Sequence, residues 1–256
     1  MARPLLALGG IVLIGIGLAT AFGWGWGSDY ENTNTVSQTI RSVKLESDSG
    51  SVKIRTGTGP STVHQKISYH WRSKPGDSFF RVDGDQLVLA DCGSNCSVDY
   101  EVVVPPGVPV TGRMDSGGLD VAGVASVDVR SDSGHARVED VSGPVKLRLE
   151  SGGIDLRDVG EVQLHADSGS IRGTEVRGPV DVTSSSGSVD FSLSQANDVK
   201  VKADSGSVDV EVPGGPYRVV GDSDSGHRDI GVPTDGSAPH TLDLTTDSGS
   251  VTVRAA

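Results

Sequence analysis

Beyond residue 112 the chain alternates apolar and polar positions in short runs. Val145-Lys146-Leu147-Arg148-Leu149, Ile154-Asp155-Leu156-Arg157, Val162-Gln163-Leu164-His165, Val199-Lys200-Val201 and Leu242-Asp243-Leu244 are examples. A period of two sends successive side chains to opposite faces, so these runs predict strands with one dry and one wet face. The dry positions are mainly Val, Leu and Ile, and β-branched residues favour strands. No run beyond Gly27 has helical spacing, which argues against parallel sheets covered by helices.

The runs are punctuated by a tripeptide that recurs nine times: an acidic residue or Ser, then Ser, then Gly. Its glycines are Gly50, Gly117, Gly134, Gly152, Gly169, Gly187, Gly206, Gly226 and Gly249. From Gly117 onward they are 17, 18, 17, 18, 19, 20 and 23 residues apart, the short drifting period of a solenoid. The predicted fold is all-β: a single-stranded parallel β-solenoid with two short strands per coil. The seven steps from Gly117 to Gly249 span roughly 34 Å at ~4.8 Å per coil.

Each tripeptide is read as a structural turn. Gly supplies a positive φ, and the Asp carboxylate is expected to accept a bond from the amide two residues on. Carboxylates stacked ~5 Å apart repel by roughly 0.8 kcal/mol in water and ~3 kcal/mol at an effective dielectric of 20. The downstream cations Lys53, Arg55, Arg137, Arg157 and Arg172 are expected to relieve that column.

Residues 36–112 keep the pattern less regularly, with longer strands expected at 63–71, 86–90 and 98–104. They read as leading coils or a cap, with the regular coils at 113–256. Residues 1–27 carry an uncharged stretch from Pro4 to Gly27 behind Arg3. About 20 apolar residues nearly span a membrane as a helix, and Trp24 and Trp26 suit an interfacial belt. Ala19-Thr20-Ala21 fits signal-peptide cleavage instead. Both readings export the rest, placing the C-terminal bulk outside the cytoplasm beyond a linker at 28–35. Cys92 and Cys96, the only cysteines, are expected to form a disulfide in that compartment.

Composition narrows the function classes. Aromatics are only 4% of residues and glycines number 35, which suits a thin aliphatic slab. A formal charge of −12 argues against nucleic acid as a partner. Met114-Asp115-Ser116-Gly117-Gly118 looks like a serine-protease nucleophile segment, yet the turn is repeated and no positioned His accompanies it. A carbohydrate enzyme would need converging carboxylates and aromatic platforms, whereas Trp71, Phe79, Phe80, Tyr100, Phe191 and Tyr217 are scattered. Asp115, Asp132, Asp167 and Asp204 are a calcium candidate, set against the simpler reading of solvated turns. His64, His70, His135, His165, His227 and His240 lack ligand spacing, and no cofactor is implied.

Tyr100-Glu101-Val102-Val103-Val104-Pro105-Pro106-Gly107-Val108-Pro109-Val110, followed by the Ser-Gly-x-Val coils, resembles the bacterial "putative adhesin" domain family over 36–253. That resemblance implies a repetitive exported architecture and assigns no catalytic residue. The expected function is a non-enzymatic, membrane-anchored surface scaffold or adhesion module whose partner is a cell-wall glycan or another surface protein. The alternatives are the ectodomain of an envelope-stress sensing system and, third, a carbohydrate-active enzyme.

Overall fold

The structure is a computed structural model and describes residues 28–70 and 76–256. The membrane helix or signal peptide expected at 1–27, with Trp24 and Trp26, lies outside the described residues, as does Trp71. Among the described residues no helix is long and apolar enough to cross a membrane.

The described chain is all-β. Its strands are β1 (Ser28–Val36), β2 (Ser42–Ser47), β3 (Val52–Thr56), β4 (Ser61–Tyr69), β5 (Phe80–Asp83), β6 (Gln86–Ala90), β7 (Cys96–Val104), β8 (Pro109–Met114) and β9 (Gly118–Ala122). Three long strands follow: β10 (Ser126–Val141), β11 (Val145–Val159) and β12 (Val162–Val176). Then come β13 (Val180–Ser186), β14 (Val189–Leu193), β15 (Val199–Ser205), β16 (Val208–Val212), β17 (Arg218–Val220), β18 (Ser223–Ser225), β19 (Arg228–Ile230), β20 (Thr241–Ser248) and β21 (Val251–Ala255).

Parallel pairing stacks the coils in register. On the first face, before each Ser-Gly corner, the order is β6, β2, β8, the leading halves of β10, β11 and β12, then β13, β15 and β20. On the second face it is β7, β3, β9, the trailing halves of β10 and β11, then β12, β14, β16 and β21. The dry positions of both faces close on one slab of Val, Leu and Ile, including Val129, Leu147, Val138, Leu156 and Val182. Val124, Val141, Val159 and Val176 are buried on a short third side. There too amides bond coil to coil, as from Gly160 to Val141 at 2.8 Å and from Arg177 to Val159 at 2.9 Å. The residue before each of these last three valines has left-handed backbone: Asp140, Asp158 and Glu175 have φ of 55°, 52° and 56°, where the coil before them uses Gly123.

The corners are tighter than separate turns. In β10 to β12 the ladder continues into the corner and skips only the acidic position, pairing Ser131 with Leu149, Ser133 with Ser151 and Gly134 with Gly152. Gly169 has φ +134°, and a Cβ there would collide with the Gly152 carbonyl. Gly226 occupies the same column but has no left-handed φ; its lack of a side chain serves the close approach to Gly249 alone.

Coil order departs from chain order at both ends. The first coil, β2 and β3, sits between β6–β7 and β8–β9. The last coil, β20 and β21, sits between β15–β16 and β17–β19. Antiparallel strands finish the N-terminal end, where β4 pairs β7, β1 pairs β4 and β5 pairs β6.

Candidate binding surface

Each corner except that of Gly187, where Ser185 stands in, presents an acidic side chain, but the hydrogen bonding differs from the Asx turn expected. The corner Ser hydroxyls donate to the Asp carbonyl of the preceding coil: Ser116 to Asp48 at 3.0 Å, Ser133 to Asp115 at 3.4 Å, Ser151 to Asp132 at 3.4 Å. The Ser116 and Ser133 amides bond the same Asp48 and Asp115 carbonyls at 2.9 Å. The corner Gly amides, which an Asx turn would use, also bond a neighbouring coil, as from Gly206 to the Ser248 carbonyl and from Gly249 to the Ser225 carbonyl, both at 2.9 Å, and the Asp carboxylates stay on the wet face. Asx-type bonds form instead in loops, at Asp91 with the Gly93 amide (2.7 Å) and at Asp235 with the Ser237 amide (2.8 Å).

The cations that balance the column lie upstream of the corner, not downstream. Arg113 reaches Asp115 at 3.3 Å and Asp132 at 3.4 Å, Arg130 reaches Glu150 at 3.7 Å, and His165 lies 3.3 Å from Asp167. The side chain two residues before the acid points to the wet face beside it. The downstream set faces the other sheet, where Lys53 meets Glu101 at 3.7 Å, Arg55 meets Asp120 at 2.6 Å and Arg157 meets Glu139 at 3.2 Å. All are at least partly exposed, so each pair contributes about 0–1 kcal/mol. At the N-terminal end of the column, partial desolvation and the charges of Asp91 and Asp115 hold the Asp48 carboxyl above its usual range, against Arg113. Asp115, Asp132, Asp167 and Asp204 stand on separate corners. Among the described residues no three His, Cys, Asp or Glu side chains converge as a metal ion requires.

In-register stacking turns the wet positions into rows. On the second face one row reads Lys53, Asp120, Arg137, Asp155, Arg172, Asp190, with charge alternating from coil to coil. On the first face the inner row, Thr111, Asp128, Lys146, Gln163, Asp181, Lys200 and Asp243, also mixes signs. Its outer neighbour is different: beyond Glu46, which opens the row, Arg113, Arg130, Arg148, His165, Thr183, Lys202 and Thr245 contain no acid. Sequence reasoning missed this row. Its members lie four residues before the corner glycines, a position that is acidic only at Glu46 and Asp222, so aligning the coils on Gly would have exposed the run.

Several open grooves cross these faces, and two of them border the rows of cations. The larger, about 570 Å³, lies on the second face between Lys53, His64, Lys66, Asp99, Asp120 and Arg137. The other, about 360 Å³, lies on the first face over Arg130, Lys146, Arg148, Gln163, His165 and Thr183. Among the described Phe and Tyr residues only Tyr100 borders either groove, and it is buried rather than displayed as a sugar platform. Phe191 and Tyr217 are in the core, while Phe79 and Phe80 pack half-buried against it. Tyr100 is buried too, with its hydroxyl 2.7 Å from the Ala90 carbonyl and 2.8 Å from that of Phe79. Burial raises its pKa well above the phenol range. Ser116 directs its hydroxyl into the corner ladder rather than toward a base. His135 sits 3.1 Å from Asp155 and His64 2.9 Å from the Thr33 hydroxyl. Cys92 and Cys96 are joined as a disulfide, and the Cys96 carbonyl accepts from the Ser49 hydroxyl at 3.3 Å, tying the loop to the first corner.

A family model described as Toastrack DUF4097 matches residues 31–254, nearly the whole described stack. The chain belongs to that family. Toastrack DUF4097 is a domain of unknown function, so membership adds architecture and no activity. A solved "putative adhesin" from Bacteroides fragilis NCTC 9343 is similar at 12% identity and TM-score 0.37, over 90% of this chain and 97% of that one. A "putative cell adhesion protein" from Clostridium sporogenes ATCC 15579 is similar at 11% identity and TM-score 0.29, over 90% and 100%. No curated protein matches this Toastrack chain.

Proposed function

We propose that this Toastrack protein is a non-enzymatic binding module of the cell surface, tethered through residues 1–27, that holds a repetitive polymer along its wet faces. The observation that carries the reading is the in-register stack. Equivalent positions of successive coils recur at ~4.8 Å, so a polymer lying along the stack meets polar and charged side chains at a regular spacing. Weak contacts then add through effective concentration. The Cys92–Cys96 disulfide suits an oxidising compartment outside the cytoplasm. Carboxylates spaced one per corner suit display better than the paired acid and base of a glycosidase.

The test is a binding screen of the full-length chain, in detergent, against cell-wall polymers and size-fractionated glycans. Affinity should climb with polymer length by tenfold or more between a disaccharide and a long chain. Equal affinity for short and long forms, or no binding to any polymer, refutes the reading.

A further inference from the structure

The acid-free row on the first face identifies a chemistry. We propose that this face binds a linear acidic polysaccharide with a carboxylate on each sugar, seated in the groove over Arg130, Lys146, Arg148 and His165. The inference rests on the polymer-binding reading above and names the polymer.

The chain carries 34 acids against 22 Lys and Arg, so a run of positions without an acid stands out. Arg113, Arg130, Arg148 and His165 are aligned on four successive coils. Arg113, Arg130 and His165 lean on corner carboxylates at 3.3–3.7 Å, exposed pairs that exchange partners readily. Arg148 and Lys146 are exposed and have no carboxylate within ion-pair distance among the described residues. Both border the groove of about 360 Å³. Asp128 and Asp181 also border it, one on each side of Lys146 along the inner row. Gln163 and Thr183 add groups that can bond sugar hydroxyls.

Spacing favours a glycan over a nucleic acid. A strand of DNA carries a charge every ~3.4 Å, out of step with one cation per ~4.8 Å coil, so it sets more unpaired charge against the column of Asp132, Glu150 and Asp167 than a sparser polyanion does. One carboxylate per sugar can fall near the ~4.8 Å coil repeat and meet a cation on each coil.

The experiment titrates the full-length chain with polygalacturonate, neutral galactan and oligothymidylate by calorimetry at rising NaCl. Polygalacturonate should bind at low salt, weaken as salt screens it, and exceed the other two at least tenfold. Lys146→Glu with Arg148→Glu should lower its affinity at least tenfold, while Arg137→Glu on the opposite face should leave it within twofold. If the double reversal lowers the melting temperature, Lys146→Gln with Arg148→Gln should still cost at least threefold. Polygalacturonate binding no tighter than galactan or oligothymidylate overturns the inference. So does a loss with Arg137→Glu that matches the double variant. Length-dependent binding to neutral polymers alone would leave the surface-module reading standing and remove this one.

Discussion

Substituting Gly169 by Ala separates the two reasons for glycine at the corner. At φ +134° a Cβ would lie 2.7 Å from the Gly152 carbonyl carbon, closer still to its oxygen, and 3.3 Å from its nitrogen. Two terms add. Placing an L side chain at such a φ costs of order 1–3 kcal/mol. Relieving the overlap forces the coils apart at the corner, where the ladder pairs Ser151 with Ser168 and Gly152 with Gly169. Losing one or two of those bonds costs about 1 kcal/mol each. The sum is about 2–5 kcal/mol, large against an ordinary folding stability of ~5–15 kcal/mol.

Two other glycines isolate the terms. Gly59 has φ +125° and nothing within 4 Å of a Cβ, so Gly59→Ala should show the backbone term alone, about 1–3 kcal/mol. Gly226 has no left-handed φ but would meet the Gly249 carbonyl carbon at 2.6 Å, so Gly226→Ala should show the contact alone. Urea unfolding of the three variants reads these differences directly. A loss at Gly169 no greater than at Gly59 would sink the argument that corner glycines are required by coil-to-coil contact.

Three further outcomes are expected. Ser184 is buried and its hydroxyl has no partner, so Ser184→Ala should raise stability by about 1 kcal/mol in urea unfolding; a loss would mean the hydroxyl is satisfied. The disulfide closes a loop of sequence separation 4, so replacing Cys92 and Cys96 by Ser should cost about 2 kcal/mol on chain-entropy grounds. An unchanged melting temperature would count against that mechanism. The raised Asp48 pKa means the folded state holds this proton more tightly than the unfolded chain, so ionisation works against folding as pH rises through the folded value. Asp48→Asn should therefore gain on the wild type above that value and lose the advantage below the ordinary Asp range; a constant difference from pH 3 to 8 in melting scans would disprove the assignment.

The sequence shows those parts of the fold set by local rules. Alternation in Val145-Lys146-Leu147-Arg148-Leu149 predicts the strand, its buried positions and its wet side, and the structure buries Val145, Leu147 and Leu149. The corner glycines are legible because a close approach tolerates no other residue. Hydrogen bonding at the corner was misread because an Asp before Ser-Gly has a local partner in an isolated turn, whereas in a stack the neighbouring coil competes for the same amide. The acid-free row was hidden for a related reason. Arg113, Arg130 and Arg148 are far apart in the chain, and each stands near an acid, so net charge and local pattern both conceal them. Asp140, Asp158 and Glu175 gave no signal, since left-handed backbone is marked in a sequence mainly by Gly.

Coil order at the two ends could not be read from periodicity, because a repeat unit fits any neighbour of the same shape. Its physical consequence is clear. In a solenoid stacked in chain order the two terminal coils have one free edge, are held by the chain on one side only, and fray first. Here β2–β3 and β20–β21 each have a paired coil on both sides. The edges are left to segments held by the chain at both ends. At one edge β4 runs antiparallel to β7, and β1 covers β4 with a polar strand. At the other, β17, β18 and β19 are three residues each, and Arg228 donates to the Leu244 carbonyl at 2.9 Å and the Val220 carbonyl at 3.0 Å. A further parallel coil from another molecule would meet the reversed β5 on one face and the polar β1 on the other at one end, and broken strands at the other end. Those are the devices that keep an exposed edge from recruiting a new strand. The same stack that repeats its wet rows along its length thus ends in short, reversed or polar strands, which suits the proposal that binding uses its faces.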